Sequence, residues 1–139
     1  MQVIGILNSK IAALLARCGH MDEIIVCDAG FPIPLDVETI DLALSANRPT
    51  TLEVLAEILN HFSVEKIVLA EESQKHSPTM FARLTGLFDK TVAVETMPHT
   101  AFKLRSKGVK AVIRTGDFTS YSNILLVSGA GLRWFVEQK

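Results

Sequence analysis

A chain of 139 residues with a formal net charge of -1 is sized for one compact domain, over 1–139, and carries no global field that would draw it to nucleic acid or a membrane surface. Hydrophobic residues make up 48% and charged residues 21%, a balance that builds a core and excludes disorder. Cys18 and Cys27 lie in apolar periodic segments without zinc-ligand spacing and read as reduced core residues. The chain starts Met1-Gln2-Val3-Ile4-Gly5-Ile6 without a basic leader and has no run long enough to span a bilayer, so a cytoplasmic protein is expected.

In chain order, Asn8 or Ser9 can cap a first helix carrying Ile11, Leu14, Leu15 and Cys18 at helical spacing. Gly19 reads as its left-handed stop, with His20 just beyond. Ile24 to Cys27 is a continuous apolar run, as in a strand covered on both faces, and it ends at Asp28-Ala29-Gly30 and a Pro32, Pro34 loop. Val37 to Leu44 alternates and reads as a strand. Thr50 or Thr51 starts an amphipathic helix, and Lys66 to Ala70 is another buried strand, followed by Glu71-Glu72. A helix from Pro78, a short strand Thr91 to Val94 and a helix from Pro98 to near Gly108 come next. Strands Ala111 to Arg114 and Asn123 to Val127 flank a turn rich in Gly, Thr and Ser. The alternation predicts an α/β fold, three layers α/β/α with a mostly parallel, mixed sheet.

Ligands of open α/β sheets bind beyond the carboxyl ends of the strands, which singles out Asp28, Glu71, Glu72 and the Gly116 turn. Asp28 reads equally as a loop cap bonding Ala29 or Gly30 and as an acceptor for ligand hydroxyls. His20, His61, His76 and His99 offer no metal-cage spacing, and taken singly each suits a surface or packing role. His20 differs in standing at a helix C-terminus, where the dipole favours a protonated ring able to donate. His99 and Lys103 share one helix face, and Tyr121 and Asn123, two apart, would point to one side of a strand. Lys103, Arg105, Lys107, Lys110 and Arg114 lack interleaved aromatics and read as a solvated face, with Arg114 free to pair with an acid.

Ile6-Leu7-Asn8-Ser9, Gly19-His20 and Cys27-Asp28-Ala29-Gly30-Phe31-Pro32-Ile33-Pro34 resemble the N-terminal signature of the D-ribose pyranase branch of the RbsD/FucU sugar mutarotase family. Ala70-Glu71-Glu72, His99 with Phe102-Lys103, Ala111 to Gly116 and Tyr121-Ser122-Asn123 follow in that family's order, so the likeness runs from about residue 4 to 130. Gly30 resembles the pyranase branch, since the L-fucose mutarotase branch typically carries His there. The resemblance implies an isomerase that opens and recloses a free sugar ring without a metal or other cofactor, D-ribose being the expected substrate. It implies pentameric rings paired into a homodecamer, with sites between subunits. By matching motifs, His20 corresponds to the proton donor, and Asp28, His99, Lys103, Tyr121, Ser122 (through its backbone) and Asn123 to sugar-binding positions. Departures are Asp117 for the usual Glu, Ser122 for Ala, Pro98 for a Ser or Thr cap, Gln74 near a usual Lys, and a tail, 132–139, past the family's apolar end. Two other readings stay open: a mutarotase for L-fucose or another monosaccharide, and a non-catalytic sugar-binding accessory protein.

Overall fold

A computed structural model describes residues 1–138. The elements run α1 (Ser9–Arg17), β1 (Glu23–Cys27), β2 (Glu38–Asp41), α2 (Thr51–Leu59), β3 (Val64–Ala70), α3 (Glu71–His76), α4 (Pro78–Thr85), β4 (Ala93–Met97), α5 (His99–Arg105) with a 3-10 turn over Ser106–Gly108, β5 (Ala111–Arg114) and β6 (Ile124–Ser128). The six strands form one sheet in the order β2-β5-β1-β6-β3-β4. Pairings β2/β5, β5/β1 and β3/β4 are parallel, and β6 runs antiparallel to both β1 and β3. The expected mixed sheet is thus present, with β6 as the strand that reverses.

Helix starts follow local chemistry. Asn8 accepts bonds from the N–H groups of Lys10 and Ile11, each at 3.0 Å, and so caps α1. Thr50 and Glu53 close a capping box at the start of α2. Pro98, at the N-cap of α5, has no side chain to cap with; Glu72 takes that role, accepting the His99 N–H at 2.6 Å. The first helix does not end as expected: Cys18 leaves in an extended conformation, and the left-handed residue is Met21 (φ 70°), not Gly19. The strand expected over Val37 to Leu44 is only four residues long: Leu42 still bonds to Arg114 at the end of β5, but Leu44 turns to the Arg48 carbonyl in the loop that follows. Glu71 and Glu72, expected to trail a strand, open a short helix, and β4 begins two residues later than its expected start.

The strand pleat sorts apolar residues onto two faces. Ile24, Val26, Ile67, Leu69, Ile113, Ile124 and Leu126 pack under α1, α2 and α4. Ile25, Cys27, Val68, Val112, Leu125 and Val127 pack against Phe102 of α5 and Phe31 of the loop after β1. One face therefore carries three helices, and the other carries α5 and that loop. Cys27 is fully buried, and burial pushes its thiol far above the ordinary range, so it packs rather than reacts.

The turn after β5 is held tightly. A Cβ on Gly116 would meet the backbone oxygens of Ser45 at 2.5 Å and Arg48 at 2.7 Å, whereas Gly108 faces open space. Gly116→Ala is expected to lower unfolding stability by about 1–3 kcal/mol. Gly108→Ala should stay within roughly 0.5 kcal/mol of the parent. Urea titration of both variants at one protein concentration checks the contrast.

Candidate functional site

The last residues of β1, β3 and β5, the link from β4 to α5 and the first residue before β6 all gather at one end of the sheet. There a cleft of about 620 Å³ is lined by residues that include Asp28, Phe31, His99, Lys103, Tyr121 and Asn123. Five of the seven expected site residues thus meet in one place. Asp28 follows β1, His99 and Lys103 are on consecutive turns of α5, and Tyr121 and Asn123 lead into β6. Tyr121 and Asn123 do not sit on a strand, as their spacing suggested. Tyr121 is left-handed (φ 60°) in a turn, and β6 begins only at Ile124.

Asn123 is buried, and its Oδ1 accepts the Asp28 N–H at 2.8 Å. The carboxylate itself accepts the Gly30 N–H on Oδ1 at 3.0 Å. Asp28 is therefore a loop cap, and the same bond holds its carboxylate at the cleft. Arg114, itself a lining residue of the cleft, clamps the loop: Nε and Nη2 donate to the Ala29 carbonyl at 3.1 and 2.9 Å, while Nη1 reaches Asp41 at 2.9 Å. Asp117, noted in the sequence only as a departure, is a buried hub. Its Oδ2 takes the Thr51 N–H at the start of α2 (2.9 Å), its Oδ1 the Thr119 N–H (2.8 Å), and its carbonyl the Ala29 N–H (2.9 Å). A hidden tether of this kind leaves no periodic trace in sequence.

Two titrating groups face each other across the cleft. Burial raises the Asp28 carboxyl above its ordinary value, against bonds from Gly30 and the Asn123 side chain; Asp117 adds to the rise and His99 opposes it. Burial and then the Lys103 ammonium hold the His99 imidazole below its ordinary value, while Glu72 and Asp28 pull it up. The His99 Nδ1 is closed off without a partner among the described residues. A bare lone pair is cheaper to leave there than an N–H, so the neutral ring favours its proton on Nε2, the nitrogen left for a ligand. Phe31 and Tyr121 stand edge-on to the His99 ring, at 6.2 and 5.1 Å between centroids. Phe31 belongs to the Cys27 to Pro34 signature but carried no expected site role; its place after Asp-Ala-Gly was the available signal.

Two expected residues do not line the cleft. Ser122 is fully buried; its N–H goes to the Thr119 carbonyl (3.3 Å) and its carbonyl takes the Thr51 hydroxyl (3.1 Å), so both backbone groups already have a partner within the chain and the carbonyl keeps one lone pair. His20 lies at the opposite end of the sheet, exposed, with Nε2 at 2.8 Å from Glu65. A bulge between Val64 and Lys66 turns Glu65 outward to meet it. Within one chain, then, His20 does not enter the Asp28 cleft. Among the described residues no three His, Cys, Asp or Glu side chains converge in a metal-holding arrangement. Nor is any helix among them long and apolar enough to cross a membrane.

The model of the RbsD / FucU transport protein family matches residues 1–131. D-ribose pyranase of Halalkalibacterium halodurans is 45% identical over 125 residues, covering 90% of this chain and 95% of the relative. D-ribose pyranase of Thermotoga maritima is 43% identical over 132 residues, covering 93% and 98%. Among solved structures, Bacillus subtilis RbsD complexed with D-ribose superposes with a TM-score of 0.89 at 39% identity, over 95% of this chain and all of that one. FucU of Bifidobacterium longum shares the fold at 22% identity and a TM-score of 0.75, over 91% of this chain and 97% of that one.

The charges at this end of the sheet are checked by NMR titration of the His99 ring. It should titrate below the ordinary value of about 6.5. Asp28→Asn, removing the anion that pulls it up, should lower it further, and Lys103→Met should raise it. Stability gives a second reading. The folded-state pKa of Asp28 lies above the unfolded one, so its charge costs stability at neutral pH, and that cost disappears as pH falls through the raised value. Asparagine keeps the acceptor for Gly30, so Asp28→Asn should not lower the Tm at pH 7; a clear fall would contradict the charge cost.

Proposed function

The chain belongs to the RbsD / FucU transport protein family, and on that premise we propose that it interconverts the pyranose and furanose forms, and the anomers, of free D-ribose by acid–base ring opening and reclosure. The observation that carries this reading is the Asp28–His99 pair, a raised carboxyl and a lowered imidazole lining one cleft, with Asn123 fixing the backbone of Asp28. Likeness to D-ribose pyranases across nine-tenths of the chain supports ribose as the sugar.

The reaction asks for two proton movements. The anomeric hydroxyl gives up its proton as the C1–O5 bond breaks, O5 gains one, and the open aldehyde forms. Reclosure reverses these transfers with the C4 hydroxyl attacking C1, so atoms balance and nothing is oxidised. A carboxylate raised above the ordinary range is a stronger base than a solvated one, which suits Asp28 to accept the anomeric proton. His99, with its proton on Nε2, donates to a sugar hydroxyl and orients it. Tyr121, Lys103 and Asn123 complete the binding set. His20 supplies the proton to O5, a role typically contributing ~10²–10⁴-fold.

Since His20 and Asp28 stand at opposite ends of one sheet, the donor comes from another copy, in a homodecamer of two pentameric rings working in the cytoplasm. Exposed Leu7, Leu35 and Leu104 give such an assembly apolar surface to bury. Chemistry runs on side-chain proton transfer alone, with no cofactor.

NMR exchange spectroscopy on D-ribose should show faster pyranose–furanose exchange with the purified protein and no additive. Unchanged exchange at high protein concentration would leave a sugar-binding accessory protein, and faster exchange of L-fucose than of ribose would make it a fucose mutarotase. His20→Ala and Asn123→Ala should each lose most activity, and mixing the two under subunit exchange should recover part of it. A fully active monomer by light scattering would rule out the shared site.

A further inference from the structure

We propose that His76, together with Ser77, is a positioning residue for the sugar site: its ring backs Tyr121 and determines where that side chain stands in the cleft. The kinetic consequence rests on the sugar-isomerase reading above, whereas the contact itself is independent of it.

Tyr121 needs such support. Its φ of 60° lies in the left-handed region, which a bulky side chain enters only where its surroundings hold it there. Two rings do so. His76 stacks on Tyr121 with centroids 5.8 Å apart and planes 27° from parallel, and His99 meets the same ring edge-on at 5.1 Å and 89°. The residue before Tyr121 is tied as well, since the Ser77 hydroxyl donates to the Ser120 carbonyl at 2.9 Å. His76 ends α3, and Ser77 joins α3 to α4, so one helix corner grips two successive residues of the turn that precedes β6.

The corner has little else to do for the fold. His76 is exposed, so its truncation opens no cavity, and neither His76 nor Ser77 lines the cleft. Their route to the site runs through Tyr121 and Ser120. A tyrosine held between two rings surrenders little freedom when a sugar arrives, and that preorganisation shows as affinity. Without the stack, the phenol samples other rotamers and each binding event must order it again. Binding should therefore suffer more than turnover, because proton transfer is carried by other groups.

The experiment compares His76→Ala with His76→Phe, which keeps an aromatic face. Tyr121 is the chain's one tyrosine, so its ring resonances are a private probe. In His76→Ala those resonances should shift, and half-saturation for ribose exchange should rise roughly 3- to 10-fold with the saturated rate about unchanged. His76→Phe should restore half-saturation toward the parent, and the Tm of both should match it. Parental half-saturation with unmoved Tyr121 signals in His76→Ala would overturn the proposal. So would a loss that phenylalanine does not rescue, or a fall in saturated rate and Tm together. If the parent exchanges no ribose, the isomerase reading falls, and the Tyr121 signals alone decide whether His76 positions that ring.

Discussion

Strand β6 enters the middle of the sheet against the direction of both its neighbours, and that reversal makes the cleft possible. In a wholly parallel sheet the start of β6 would lie at the far end from the ends of β1 and β3. Reversed, Ile124 pairs with Val26 on one side and Leu69 on the other, so Asn123 lies beside Asp28. The bond from the Asp28 N–H to Asn123 then joins two loops 95 residues apart in sequence. A ligand site at the carboxyl ends of strands is general for open α/β sheets; here the opposing strand adds a wall of its own.

Around this junction, buried polar groups are satisfied mainly by backbone. Asp117 links the start of α2, the loop after β1 and the turn before β6, and Thr51 and Thr115 complete the inner layer with bonds to the carbonyls of Ser122 and Cys27. Buried polar networks of this kind specify one arrangement because an unmade bond there costs more than a made one returns. Ser122 is spent in that layer. Its neighbours Tyr121 and Asn123 line the cleft, so adjacent residues of one short turn divide between the inner layer and the cleft wall.

The same burial acts with opposite sign on the two titrating groups, raising the carboxyl of Asp28 and lowering the imidazole of His99. Both are pushed toward their neutral forms, which brings their proton affinities closer together. His20, exposed against Glu65 at the other end of the sheet, lives in water by contrast. In the proposed assembly this division matters: the buried half of the site binds and accepts, and the exposed residue arrives with a neighbouring copy.

Much of this was legible along the chain. Asn8, Thr50 with Glu53, and Pro78 start helices where local chemistry requires, and the apolar runs from Ile24 and Lys66 are buried strands, because caps and periodicity are short-range properties. Asp28, His99, Lys103, Tyr121 and Asn123 were identifiable by residue type and motif, and they converge. What the chain alone did not reveal depends on contacts between distant residues. Glu72 replaces the missing cap at Pro98, Asp117 ties three loops, Ser122 turns inward, and Tyr121 is held left-handed in a turn instead of lying on a strand. The separation of His20 from the cleft belongs to the same class. Residue types and their local order determined which groups were available and which elements would form. Only the order and direction of strands in the sheet decided which groups met, because that depends on packing both apolar faces at once.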